Sequence, residues 1–142
     1  CAVTVVDASV WVSLFVAQDV HHIPSRTIIA TTTSNGEPLV APVLMLAEVA
    51  GAIARRTSEP QLGRRAVEQL MRLPTLRIVR IDPQLGQIAS EVAAEYRLRG
   101  ADAVYVATAQ QLQISLITWD REQLTRATGL ISAFTPDDYP HF

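Results

Sequence analysis

The sequence predicts an α/β fold, a short and mainly parallel sheet flanked by helices. Three observations carry this. Residues 2–6 (Ala-Val-Thr-Val-Val) are β-branched and almost wholly apolar, as a strand covered on both faces must be. Segments of that kind then alternate with segments whose apolar residues recur at helical spacing, the pattern of βαβ units. Finally, acidic residues fall where strands end and helices begin, the edge at which open parallel sheets bind ligands. At 142 residues, with 49% hydrophobic and 18% charged side chains, the chain suits a single domain over residues 1–142 with a substantial core.

The first strand ends at Asp7, and a helix over residues 9–17 follows with Val12, Phe15 and Val16 inward. Asp7 and Ser9 both suit helix N-caps, so capping alone accounts for Asp7 as well as function does. Residues 18–37 carry a weak signal. Ile23-Pro-Ser resembles a helix start, Ile28 and Ile29 its buried face, and residues 31–36 a polar exit. His21 and His22 are adjacent, do not share a helix face, and are expected at the surface.

Residues 38–41 predict a second strand, with Pro42 at the first helical position after it. The helix over 43–56 turns Leu46, Val49, Ala50 and Ile53 inward, and Glu48 is the only charge between Glu37 and Arg55. Helices are expected over 61–73 and 84–99, separated by a strand at 76–81. Arg77 and Arg80 interrupt that strand's apolar character and place it near the sheet edge. Gly100 is expected to terminate the second of these helices.

The stretch from Gly100 to Leu124 organises the rest. Asp102 opens an Ala-rich helix, and a β-prone run at 115–118 follows it and stops at Trp119-Asp120. If that strand returns antiparallel to the helix, the helix start and the strand end share one edge, and Asp102 lies beside Asp120. A short helix over 120–126 and a last strand over 130–134 complete the chain.

Composition narrows the chemistry. One cysteine, Cys1, permits no internal disulfide and is consistent with a reducing cytoplasm. No apolar run is long enough for a membrane span, and no secretory signal is expected. Mean hydropathy is +0.19 and net charge −2, so any surface for nucleic acid has to be local. All twelve basic residues are Arg. The lack of Lys excludes a Walker-type phosphate loop and a receiver domain with a partner Lys. An aspartyl phosphatase would need an acid two residues after Asp7, where Ser9 stands.

On this fold Asp7, Asp102 and Asp120 face one edge, and Glu48 can reach it from the helix beside them. Four close carboxylates raise one another's pKa unless a cation intervenes. An oxygen-only set selects Mg²⁺ or Mn²⁺, whose chemistry is phosphodiester hydrolysis.

Val-Val-Asp7-Ala-Ser9, Pro42-Val-Leu-Met-Leu-Ala-Glu48, Ala101-Asp102-Ala-Val-Tyr-Val-Ala-Thr-Ala and Ile117-Thr118-Trp-Asp120 occur in that order over nearly the whole chain. In this the chain resembles PIN-domain ribonucleases, and most closely the VapC-type toxins of toxin–antitoxin pairs. The resemblance implies a PIN-like three-layer fold and an acidic metal site of Asp7, Glu48, Asp102 and Asp120 holding Mg²⁺ or Mn²⁺. Ser9 and Thr118 would be the hydroxyl residues beside that site. It also implies an RNA substrate, a cognate antitoxin protein, a homodimer and no membrane. Many relatives carry Phe soon after the last Asp, a slot that Leu124 is expected to fill. Candidate phosphate contacts are Arg55, Arg56, Arg64, Arg65, Arg97 and Arg99. The rival reading is a non-catalytic PIN-fold binding or regulatory module, which usually loses one or more of the acids.

Overall fold

The computed structural model describes residues 2–140. Cys1 lies outside them. Five strands, β1 (Thr4–Val6), β2 (Leu39–Pro42), β3 (Leu76–Val79), β4 (Ser115–Ile117) and β5 (Ala133–Phe134), form one sheet in the order β3-β2-β1-β4-β5. Every pairing is parallel. Seven helices flank it among the described residues: α1 (Ala8–Phe15), α2 (His22–Ser34), α3 (Leu44–Thr57), α4 (Pro60–Arg72), α5 (Pro83–Tyr96), α6 (Gly100–Leu112) and α7 (Arg121–Arg126). This is the expected α/β arrangement, with β3 at the sheet edge.

The strand order has a consequence for function. From β1 the chain steps outward through β2 to β3, then crosses back to place β4 on the other side of β1. The reversal makes the β1–β4 boundary a topological switch point, where the carboxyl ends of the strands leave a crevice. Asp7 follows β1 directly, and its N–H bonds to Ile117 O of β4 (2.9 Å). The carboxylate is therefore fixed at that crevice by the sheet itself.

The core explains why the strands are so apolar. Val5, Val6, Leu39, Ala41, Leu116 and Ile117 are all fully buried. Helix α6 packs on β1, β2 and β4. Ala103, Ala107 and Ala109, all buried, keep its face small enough for close approach. Trp11 is also fully buried and satisfies its indole N–H on Val6 O (3.2 Å). No helix among the described residues is long and apolar enough to cross a membrane.

Several local expectations are corrected. Helix α2 runs through Ser34, so its threonines belong to the helix and not to a polar exit. The Thr32 hydroxyl bonds back to Ile28 O (2.8 Å), which hides its polarity within the turn below. Pro42 closes β2 instead of opening α3. Arg97, at φ 55° in the left-handed region, ends α5, while Gly100 starts α6. His22 is half-buried, with Nδ1 2.9 Å from Ser13 O, and His21 is half-buried against Trp119. Neither is the free surface residue that adjacency suggested.

Candidate active site

At the switch point, Asp7 is buried and caps α1 through Ser9 N–H to its Oδ2 (2.9 Å). The capping role and the edge position are thus the same geometry. Asp120 ends the β4 segment and caps α7, accepting Gln123 N–H at Oδ1 (2.8 Å). Asp102 stands in the first turn of α6. Glu48 comes from α3, and its Oε1 accepts the hydroxyl proton of buried Tyr105 on α6 (2.6 Å). Sheet and helices together bring Asp7, Glu48 and Asp120, 113 residues apart in sequence at the extremes, within electrostatic reach of Asp102.

That reach shows in the protonation of Asp102, Asp7 and Glu48. Asp102 is pushed up to about 7, first by burial and then by the charges of Asp120, Asp7 and Glu48, with Arg99 opposing. Burial likewise raises Asp7, against hydrogen bonds from Ser9 and Gln123 that hold it down, while Asp120 adds to the rise. Glu48 is raised by burial and by Asp7, the Tyr105 hydroxyl opposing. Without a cation, Asp102 is therefore partly protonated near neutral pH.

The two hydroxyl residues sit between the acids. Thr118 is fully buried; its hydroxyl donates to Gln123 Oε1 (2.6 Å) and accepts Asp120 N–H (2.9 Å). Ser9 Oγ lies 3.4 Å from Thr118 Oγ1 and accepts Trp119 N–H (3.1 Å). Both hold the backbone that carries the carboxylates.

Gln123 is the functional residue that the sequence did not announce. It is wholly buried, and its Nε2 donates to Asp7 Oδ1 and to Asp102 O, each at 3.2 Å. One side chain thereby ties together β1, β4, α6 and α7. Gln123, and not half-buried Leu124, fills the buried slot after the last acid. Asp-x-x-Gln is capping-box spacing, which would have sent the Gln side chain back to the cap N–H, not into the core. Tyr105, one turn after Asp102, is the second residue missed.

Carboxylate oxygens alone suit a hard divalent cation. Among the described residues, however, no three acidic, His or Cys side chains converge as a ready ligand cage. Oxygens of Asp7, Glu48 and Asp120 are held instead by Ser9, Gln123 and Tyr105. Of the six candidate arginines, three have a contact that fixes their setting. Arg56 pairs with Asp19 (2.7 Å), Arg64 bonds Gln61 (3.2 Å), and Arg99 alone acts on Asp102.

A PIN domain family model matches residues 4–129, and the chain belongs to that family. No curated protein sequence matches significantly. Among solved structures, it is similar to VapC20 of Mycobacterium tuberculosis, described as a toxin cleaving the sarcin-ricin loop. That likeness has TM-score 0.73 and 21% identity over 90% of this chain and 96% of that one. A toxin–antitoxin complex from Klebsiella pneumoniae matches with TM-score 0.68 and 20% identity, over 96% and 99% of the respective chains. FitAcB of Neisseria gonorrhoeae matches with TM-score 0.71 and 17% identity, over 94% and 97%.

Proposed function

We propose that this chain is a Mg²⁺- or Mn²⁺-dependent endoribonuclease and the toxin of a VapBC-type toxin–antitoxin pair. The observation that carries the reading is the mutual electrostatic coupling of Asp7, Glu48, Asp102 and Asp120 at the switch point, with Asp102 lifted to about 7. Membership of the PIN family and the likeness to toxin structures support it. Asp7, Asp102 and Asp120 are the residues to hold a cation, with Glu48 completing the set.

A divalent cation there supplies the charge that polarises a phosphoryl oxygen and eases ionisation of an attacking water. The chain's own residues prepare that chemistry. Gln123 and Ser9 orient the Asp7 carboxylate and oppose its protonation. Thr118 and Ser9 fix the turn from which Asp120 projects. Tyr105 restrains Glu48, so the carboxylate approaches the edge from α3 in one orientation. Arg99 balances part of the negative charge next to Asp102.

An antitoxin partner, a homodimeric state and a cytoplasmic setting belong to the same proposal. Several of the similar structures are toxin–antitoxin complexes, free or bound to DNA. The test is cleavage of a mixed RNA pool by the purified chain in Mg²⁺ or Mn²⁺ against EDTA, beside Asp102→Asn. Metal-dependent cutting lost in the variant supports the ribonuclease. No cutting, with antitoxin excluded, favours the non-catalytic module.

A further inference from the structure

Beside the acids lies a feature that phosphodiester chemistry does not use. The rings of His21 and Trp119 are stacked, with centroids 3.8 Å apart and planes 10° from parallel. Trp119 stands between Thr118 and Asp120, so the stack is one residue from the candidate site on each side. We propose that the His21–Trp119 stack is a platform on which an unpaired base of single-stranded RNA seats next to the acidic edge. This rests on the ribonuclease reading and specifies the form of RNA that the site takes.

The stack is fixed in place by hydrogen bonds to both residues, while Trp119 also packs partly against the core. Trp119 N–H bonds Ser9 Oγ (3.1 Å) and its indole N–H bonds Ser25 Oγ (2.8 Å), which lies 2.6 Å from Ser13 Oγ. His21 N–H bonds Asp19 Oδ1 (2.8 Å), and Asp19 is clasped by Arg56 (2.7 Å). Both rings remain partly exposed. Their surroundings are unusually apolar for a surface: Val20 is 86% exposed and Ile23 65%.

A pre-ordered pair of flat rings costs little entropy to use, and every base has a face to lay on it. Bases within a duplex already stack on each other, so the platform selects loops, bulges and single strands. Arg56, 43% exposed, is already paired with Asp19 and so steadies the segment that carries His21. If the stack served packing alone, closing the α1–α2 connection against β4, removing His21 would alter stability but not the preference for unpaired RNA.

The test uses the Asp102→Asn chain in Mg²⁺, titrated with a mixed-sequence ten-nucleotide RNA, single-stranded or annealed to its complement, while tryptophan fluorescence is followed. Trp11 is wholly buried, so a change reports Trp119. The expected result is quenching by the single strand and not the duplex. Affinity should fall about tenfold in His21→Ala and be kept in His21→Phe, which retains a flat ring. With Asp102 restored, His21→Ala should raise KM for cleavage and spare kcat.

Equal binding of single strand and duplex, or equal affinity in His21→Ala, overturns the platform even if the chain cuts RNA. A surface that instead serves a protein partner gives that same result. A chain that neither binds nor cuts RNA overturns the ribonuclease reading itself.

Discussion

Gln123 Nε2 donates to Asp7 Oδ1 at 3.2 Å, joining residues 116 apart in sequence inside a fully buried contact. Gln123→Leu keeps the volume but leaves Asp7 and Thr118 without that partner. We expect a loss of cleavage of about 10–100-fold, as for other residues that orient metal-binding carboxylates. Unfolding by urea should show about 1–3 kcal/mol of destabilisation. A variant as active as the parent would mean that Asp7 needs no such orienting bond.

Asp102→Asn is expected to abolish cleavage and yet stabilise the metal-free protein at alkaline pH. In the folded chain Asp102 titrates at about 7, against 3.8 unfolded. A raised acid favours the folded state most fully below the unfolded pKa, and that contribution is lost as pH rises through about 4 to 7. Half-exposure screens the effect, leaving a Tm gain for the variant of about 2–6 °C at pH 8 in EDTA and almost none at pH 4. Equal melting of the two chains at pH 8 would show that Asp102 carries no such strain.

Divalent cations should remove the same conflict. In the parent chain, millimolar Mn²⁺ should raise Tm at pH 8 and lose its effect towards pH 5, as the carboxylates take up protons. Asp102→Asn should respond less at every pH. Differential scanning fluorimetry with and without EDTA reads this directly, without an RNA substrate.

Tyr105→Phe removes the 2.6 Å hydrogen bond to Glu48 while preserving the buried ring. That bond holds the Glu48 carboxyl down against burial. Its loss raises Glu48 further, so the acid limb of the cleavage pH profile should move to higher pH. Stability should fall by about 1 kcal/mol. An unmoved acid limb would separate Glu48 from the reaction.

Gly63→Ala probes the scaffold. A Cβ on Gly63 would lie 2.5 Å from the Ala50 carbonyl oxygen, so α4 would have to move off α3. We expect destabilisation of about 1–3 kcal/mol. Because Glu48 is two residues from Ala50, activity should fall with it. A thermal melt and one cleavage assay suffice.

The acidic edge was legible because strand ends are legible. Residues 4–6 and 116–117 are β-branched or apolar runs that stop just before a polar residue, and parallel pairing then fixes where Asp7 and Asp120 go. What the sequence hid is side-chain destination. Gln123 looks like an exposed helical polar residue, and only tertiary structure shows it filling the core. His21 was expected at the surface because adjacency says nothing about a ring 98 positions away. Gly100 starts α6 and does not end α5, since Arg97 accepts the left-handed backbone that composition assigns to glycine.

β1 occupies the middle of the sheet, with β2 on one flank and β4 on the other. On the ribosome these neighbours emerge far apart in time. Asp7 leaves early, but β1 lacks its second flank until residue 117 is out, and the acidic edge lacks Asp120 and the Gln123 tie. An unfinished chain therefore carries no competent edge. On the proposed reading, cutting can begin only once β4 and the residues through Gln123 have emerged and paired.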